Sequence, residues 1–332
     1  TITNPGSSTF YIYASLNNTI SPCNSSPTFS NKPVPFACVG QQYCFNHGAY
    51  DADGDSLVYS LITPYQNATT TVGYIPPFTP TDPLTSSPAV SFNTSTGDIC
   101  MTPQNLEVTV MAVLVQEYRN GVLIGTVERD IQVTVLSCNN SLPTLSGING
   151  TNNFSITVCA GQQLCFDIFS ADADAGQNVF VNWDGSIPGA TFTSSVGPRP
   201  TGTFCWTPSQ SDISSNPYCF TVRVNDDACP MVGAQIYSYC INVIGVIANA
   251  GPDQQIACND LATVHATASG GTGNYTYLWS NGVTLPIQTV GAGTYIVTVD
   301  DGVCTDQDTV VITNAFVPTA AFTAVGTCPK TP

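Results

Sequence analysis

The sequence predicts an all-β protein: immunoglobulin-like or cadherin-like β-sandwich modules following one another in a linear array. Three observations carry that prediction. One block of sequence occurs twice, since "CVGQQYCFNHGAYDADGDSLVYSL" from Cys38 returns as "CAGQQLCFDIFSADADAGQNVFVNW" from Cys159. Residue usage favours strands and turns, with abundant Thr, Ser, Asn, Gly and Pro beside 14 Tyr and 15 Phe. Apolar residues also alternate with period two, as in Val108, Val110, Ala112 and Leu114, or Phe220, Val222 and Val224. No stretch has helical periodicity, and a hydrophobic content of 42% separates the chain from disordered Ser- and Pro-rich segments.

Residues 1–22, with "STFYIYASL", are too few for a domain and read as the terminal strand of a preceding module or a linker. A first copy spans 23–137, opening on "CNSSPTF"; a second spans 138–244, opening on "CNNSLPTL". The match extends to "TGDICMTP" (96–103) and "TGTFCWTP" (201–208), and each copy closes on a strand, "DIQVTVLS" or "YSYCINVIG". About seven short strands in about 110 residues is the count of an immunoglobulin-like sandwich. A third module of another kind, 245–314, carries "ASGGTGNYTYLWSNG" and "VGAGTYIVTVDDGVC"; residues 315–332 read as a linker or the start of a further module.

Charge and cysteines bound the function. With 22 acidic against 6 basic residues and a formal charge of -16, the surface repels nucleic acid and anionic lipid. No apolar run approaches the length of a membrane span, so direct membrane insertion is not expected. Fourteen cysteines without close Cys-x-x-Cys pairs, and with two histidines, indicate disulfides and a secreted, extracellular or cell-surface location. No basic-then-apolar leader opens the chain, which reads as a mature or excerpted piece of a longer secreted protein.

The combination "DADGDSLVYSL…SFNTSTGDICMTP…VQEYRNGVLIGTVERDIQVTVLSC" resembles the large cell-surface proteins that Bacteroidota export by type IX secretion. The third module resembles the SprB-type repeat of gliding-motility adhesins, a relative of the PKD fold, through "SGGTGNYTYLWSNG" and "AGTYIVTV". The resemblance implies tandem surface modules and an adhesive or stalk-like role.

The aspartates suggest a metal. Asp51, Asp53 and Asp55 repel one another unless a cation lies between them, and calcium accepts six to eight hard oxygen ligands in flexible geometry. The twelfth position from Asp51 is Ile62, so this is not an EF-hand loop. In a sandwich, the loop after the second strand and the turn after the sixth share one end, which adds Glu117 to the first site. Asp172, Asp174, Asp226 and Asp227 are the aligned acids of a weaker second site. The alternative is that these residues are Asx turns capping strand ends. A calcium ion at such a junction would stiffen it, as in cadherin-like arrays.

The repeat suggests disulfides Cys23–Cys38, Cys44–Cys100, Cys138–Cys159 and Cys165–Cys205; a hairpin that pairs 224 with 235 places Cys219 opposite Cys240, and Cys258–Cys304 would close the third module, with Cys159–Cys229 as a rival. Cys328 would pair outside this set. Enzyme chemistry is not expected. His47 and His265 read as strand residues, there is no nucleophile elbow, and Glu107, Glu117 and Glu128 gather around one hairpin that builds no cleft. Trp206 and Trp279 read as core, while Trp183 beside Asp184–Gly185 is a candidate ligand platform. Ser56 and Thr309 sit in short Asp-Ser and Asp-Thr motifs that resemble Bacteroidota O-glycosylation sites.

The expected function is therefore a non-enzymatic structural segment of an extracellular adhesin or surface stalk, stiffened by disulfides and calcium. Its partners would be neighbouring modules, with polysaccharide or cell-surface ligands. The alternatives are a filament subunit assembled from identical copies by strand complementation, and a set of carbohydrate-binding accessory modules.

Overall fold

The computed structural model describes residues 1–3, 9–33, 35–229, 231–257 and 260–315. The chain divides into two compact units. One holds residues 1–208 and 214–243; the other holds 209–213 and the residues from 244 onward. The closing stretch 316–332, with Cys328, lies outside the described residues, as does Cys258.

The first unit contains two β-sandwiches of the same construction. In the first, the strands Phe36–Cys38, Val122–Leu136, Val108–Arg119 and Ser56–Ile62 form one sheet, with Phe36–Cys38 parallel to the end of Val122–Leu136. Tyr43–Phe45, Ile99–Met101 and Ser91–Phe92 form the facing sheet. The second repeats this order, with Ser155–Cys159, Ala234–Ile244, Tyr218–Asn225 and Phe180–Trp183 opposite Thr144–Leu145, Leu164–Ala171, Thr201–Trp206 and Thr191–Ser194. This is the two-sheet immunoglobulin arrangement. In the second unit, Gln254–Ile256, Thr305–Asn314, Gly293–Asp300 and Thr276–Trp279 make a sheet of the same order around buried Trp279, Val297 and Val310.

Period-two patterning supplies the cores. Met111, Val113 and Val115 face Ile131, Val133 and Val135 across one sheet and Tyr43, Phe45, Ile99 and Met101 across the other. The second core is aromatic, with Phe204 stacked on Phe220 at 4.4 Å between centroids and Phe166 and Tyr239 beside them. Trp183 belongs to this core. Its ring, half-buried, stacks on Phe192 and meets the edges of Phe204 and Phe220, each at 5.9 Å, so it packs against the core that the turn at Asp184–Gly185 borders. Trp206 is buried.

Residues 1–22 differ from expectation. Ala14–Leu16 pairs with Gly125–Val127 and extends the first sandwich's own sheet instead of a preceding module's. Ile2 packs with Val72, Val110 and Tyr74 on the outer face of that sheet. The reason is that Val110 and Ala112, on strand Val108–Arg119, alternate outward and would otherwise stay wet.

The first two sandwiches also meet sheet against sheet. The Cys44 amide donates to the Gln235 side-chain oxygen at 3.1 Å, Asn46 Nδ2 donates to Ser238 Oγ at 3.0 Å, and Asn31 Nδ2 donates to Thr221 Oγ1 at 3.0 Å. Gln235 and Ser238 are buried, and Ile236 between them joins the core of the first sandwich with Leu142 packed against it, so the contact combines satisfied polar groups with an apolar seam.

Disulfides cross directly paired positions at Cys44–Cys100, Cys165–Cys205 and Cys219–Cys240. A fourth joins Cys38 to Cys138, so Cys23–Cys38 and Cys138–Cys159 do not form. Strand register explains the difference. Asn24 reaches Glu117, which pairs with Gly125, whereas Cys38 pairs with Leu136. At about 3.4 Å per strand residue that separates Cys23 from Cys38 by roughly 35 Å. Cys138, two residues beyond Leu136, lies beside Cys38 instead. Cys159 and Cys304 are disulfide-bonded, while Cys23 and Cys229 are free and exposed, which removes the Cys159–Cys229 rival.

One buried pair makes the first sandwich sensitive to pH. Glu128 and Asp130 share the outer face of their strand beneath the N-terminal segment, and none of their four carboxyl oxygens has a donor. Tyr13 faces Glu128 and Tyr74 faces Asp130, while Arg129 points to the other face, over the Phe29 ring. Burial and mutual proximity push Glu128 up to about 7, and burial pushes Asp130 up to about 6. In the unfolded chain both titrate near about 4, so folding takes up protons in between. The stability is fully present below pH 4 and declines as pH rises through 6 to 7. Glu128→Gln should raise the melting temperature by about 2–4 °C at pH 8 and leave it unchanged at pH 4. Thermal unfolding followed by circular dichroism checks this, and an equal shift at both pH values contradicts it.

Candidate metal centre

The "DADGD" turn is built by its first residue. Asp51 Oδ1 accepts from the Asp53 amide at 2.9 Å and the Asp55 amide at 3.0 Å, an Asx turn that Gly54 completes at φ +79°. The turn reading and the metal reading are thus compatible within one carboxylate. Asp51 is 5% exposed, and its other oxygen, Oδ2, has no hydrogen-bond partner.

Glu117 comes from the far end of Val108–Arg119, where the strand bulges between Glu117 and Tyr118. It is fully buried, and its Oε1 accepts from Asn24 Nδ2 at 2.5 Å. Its Oε2 has no partner. Space for this carboxylate comes from Gly125 on the next strand, where an added Cβ would stand 2.5 Å from Oε2. Burial pushes the Glu117 carboxyl up to about 7 with the help of Asp51 and Asp55, against the pull of the Asn24 amide.

Ligand atoms of Asp51, Asp55 and Glu117 lie within 4.8 Å of one another, the one such group among the described residues. Two oxygens on opposite sides of a calcium ion, each at about 2.4 Å, are separated by the same distance. Asp53 is not part of this group. Its carboxylate turns outward to accept from the Ser25 amide at 2.6 Å, with Arg119 at 3.8 Å. Arg119 also grips Asp55 through Nε at 2.7 Å and Nη2 at 2.5 Å. One guanidinium offsets one of three clustered carboxylates, leaving Asp51 and Glu117 without a counter-charge.

The second copy keeps the plan and fills the space. Asn140 and Ser141 repeat Asn24 and Ser25: Asn140 Nδ2 donates to Asp226 at 2.7 Å and the Ser141 amide to Asp174 at 2.7 Å. Asp226 lies over Gly233, where a Cβ would stand 2.4 Å from its Oδ2. Both oxygens of Asp226 are occupied, however, since Oδ1 accepts from Ala228 and Gly233 amides at 3.0 and 2.8 Å. Asp172 Oδ1 caps the Asp174 amide at 2.9 Å, and Asp227 faces away to Asn178. Arg199 donates to the backbone carbonyls of Asp172 and Asp174 at 3.1 and 2.7 Å. Asp172, Asp174, Asp226 and Asp227 therefore do not converge. Backbone amides and Asn140 satisfy Asp226 as nothing satisfies both oxygens of Glu117, while Asp172 Oδ2, aligned with Asp51, also has no hydrogen-bond partner but lies in no such cluster.

The remaining candidates lie elsewhere. His47 is enclosed by Phe29 and Phe45, and burial, then Arg129, holds it neutral by lowering it to about 3. His265 lies in strand Ala262–His265, paired with Ile287. The Ser56 hydroxyl accepts from Asn216, whereas Thr309 is exposed on Thr305–Asn314. The sequence reading missed Asn24, Arg119, Gly125 and Gly233; the aligned glycines opposite the aligned acids were the available signal.

The SprB repeat family matches residues 254–284, in the third module. No curated protein matches the chain in sequence. Among solved structures, the titin I-band fragment I67-I69 is similar at 10% identity and TM-score 0.30, over 88% of this chain and 99% of that one. Drosophila N-cadherin EC1-4 is similar at 14% identity and TM-score 0.28, over 87% and 75%. Scores this low define no shared superposition of the whole chain, and the fold assignment rests on the strand pairing above.

Gly125→Ala should force Glu117 out of its place and cost about 2 kcal/mol in urea unfolding. Gly176→Ala, where a methyl group meets nothing, should change stability by less than about 0.5 kcal/mol. Equal effects at the two positions would show that Glu117 needs no cradle.

Proposed function

We propose that this chain is a non-enzymatic structural segment of an extracellular adhesin or surface stalk, and that a calcium ion held by Asp51, Asp55 and Glu117 braces its first sandwich. The observation that carries the calcium reading is the pair of buried oxygens without a donor, Asp51 Oδ2 and Glu117 Oε2, within one three-carboxylate group. Such groups cost free energy unless a proton or a cation compensates them. The ion would link the lead-in segment, through Asn24 and Ser25, to the turn and to the two longest strands.

The adhesin reading is supported by the SprB repeat match, the successive sandwiches and the disulfides. Among the described residues no helix is long and apolar enough to cross a membrane. Export by type IX secretion, attachment to a Bacteroidota surface and a part in gliding extend this reading through the family resemblance. Strand donation to a neighbouring copy, the filament alternative, would require Ala14–Leu16 to leave the sheet it completes here.

Calorimetric titration with calcium chloride tests the site. One ion should bind per chain, and Asp51→Asn or Glu117→Gln should weaken binding at least tenfold, while Asp226→Asn leaves it unchanged. At a hundredfold excess over Kd the ion adds about 2.7 kcal/mol of stability, visible as a rise in melting temperature. Absence of both heat and thermal shift at millimolar calcium would overturn the metal assignment.

A further inference from the structure

A groove of about 380 Å³ opens within the first unit, between the first sandwich and the second, in the size range of small-ligand sites. We propose that it is a binding site for a neutral polyhydroxylated ligand, a short stretch of uncharged glycan. This inference is independent of the cation and of the stalk reading.

The floor is rigid and fully satisfied. The two hydrogens of Asn46 Nδ2 are shared among the Thr96 carbonyl at 2.7 Å, Asp98 Oδ1 at 2.9 Å and Ser238 Oγ, while its Oδ1 accepts from the Gly48 amide at 2.6 Å. Ser238 Oγ donates in turn to Asp98 at 2.6 Å, so residues of both sandwiches fix one network. A site supported in this way loses little conformational freedom on binding.

The walls define the ligand by exclusion and by fit. Asp184 is the charged residue among those lining the groove, so an anion is repelled. It is also no cation ligand, because Oδ2 accepts from the Thr221 amide and hydroxyl, each at 2.8 Å, and Oδ1 from the Ser186 amide at 3.0 Å. Hydroxyl groups dominate what is left. Those of Thr28 and Ser186 make only long contacts of 3.4 Å to carbonyls, and they are free to turn toward a ligand. Ser95 adds a third from the facing turn. Tyr50, 43% exposed at the rim, offers a ring face on which the C–H face of a sugar can lie. An apolar ligand would leave the hydroxyls unpaired, whereas an uncharged sugar matches hydroxyl for hydroxyl.

Two-dimensional amide NMR of the whole chain, titrated with cello-, laminari-, manno- and xylohexaose, tests the proposal, with a polygalacturonate oligomer as the charged control. At least one neutral hexaose should shift the resonances of Tyr50, Ser95, Ser186 and Thr221, and the charged oligomer should not. Tyr50→Ala, at an exposed position, should weaken that binding about tenfold, equivalent to about 1.4 kcal/mol, without changing thermal unfolding. Ser95→Trp should obstruct the groove and abolish it. The proposal is overturned if none of the four shifts these residues at about 10 mM, a concentration that detects Kd values in the millimolar range. It is equally overturned if both variants bind as the parent chain does.

Discussion

In each of the first two sandwiches a buried carboxylate lies over a glycine and holds the segment that leads into the module. Glu117 over Gly125 takes the amide of Asn24, and Asp226 over Gly233 takes the amide of Asn140. A carboxylate in that position costs several kcal/mol unless its oxygens are all compensated. The local architecture on either side follows from how that requirement is met. The second copy meets it with backbone amides, and the acids around it are free to spread. The first leaves Glu117 Oε2 without a donor, and three carboxylates gather there, whereas the unpartnered Asp172 Oδ2 of the second copy belongs to no such group. The proposed calcium ion answers that difference between two otherwise equivalent sites.

The repeated Cys-x-Gly-Gln-Gln stretch has a separate task at the opposite end of the sandwich. Gly40 and Gly161 adopt φ of +74° and +82° and donate to Pro103 and Pro208 carbonyls at 2.7 Å, so both copies form the same turn. In the first copy that turn is a clasp. Cys38 is bonded to Cys138, and the Gln41 side chain donates to the Asn140 carbonyl and accepts from the Leu142 amide, both at 2.7 Å. The lead-in of the second sandwich is therefore held twice, by the clasp of the first sandwich and by its own Asp226. Because that disulfide spans 100 residues, it also constrains the unfolded chain substantially.

Much of this was legible in the sequence because strands write their burial with period two and because a repeat can be read against itself. The sandwich class and the pairing of Cys219 opposite Cys240 follow from alternation and register alone. The clasp was not legible, since Cys23 and Cys38 are near neighbours in sequence but sit at opposite ends of a long strand. Asp53 could not be told from Asp51 and Asp55 by spacing, because alternate residues of a turn do not keep the two-fold alternation of a strand. Trp183 packs against the core in a way spacing does not show: it precedes the Asp184–Gly185 turn, yet Phe192 from another strand stacks on its ring. Polar faces that meet another module, such as Gln235 and Ser238, look like solvent-facing positions until their partners are in place.

The second copy provides an internal control for the central claim that a cation completes the carboxylate cluster around Glu117, where amides complete Asp226. Hydrogen–deuterium exchange of the full chain, measured in calcium and then in excess chelator, compares the two lead-in segments within one molecule. If a cation completes the first cluster, residues 21–30 lose protection on chelation while residues 138–145 keep theirs. Equal behaviour of the two segments, whether both respond or neither does, would contradict it.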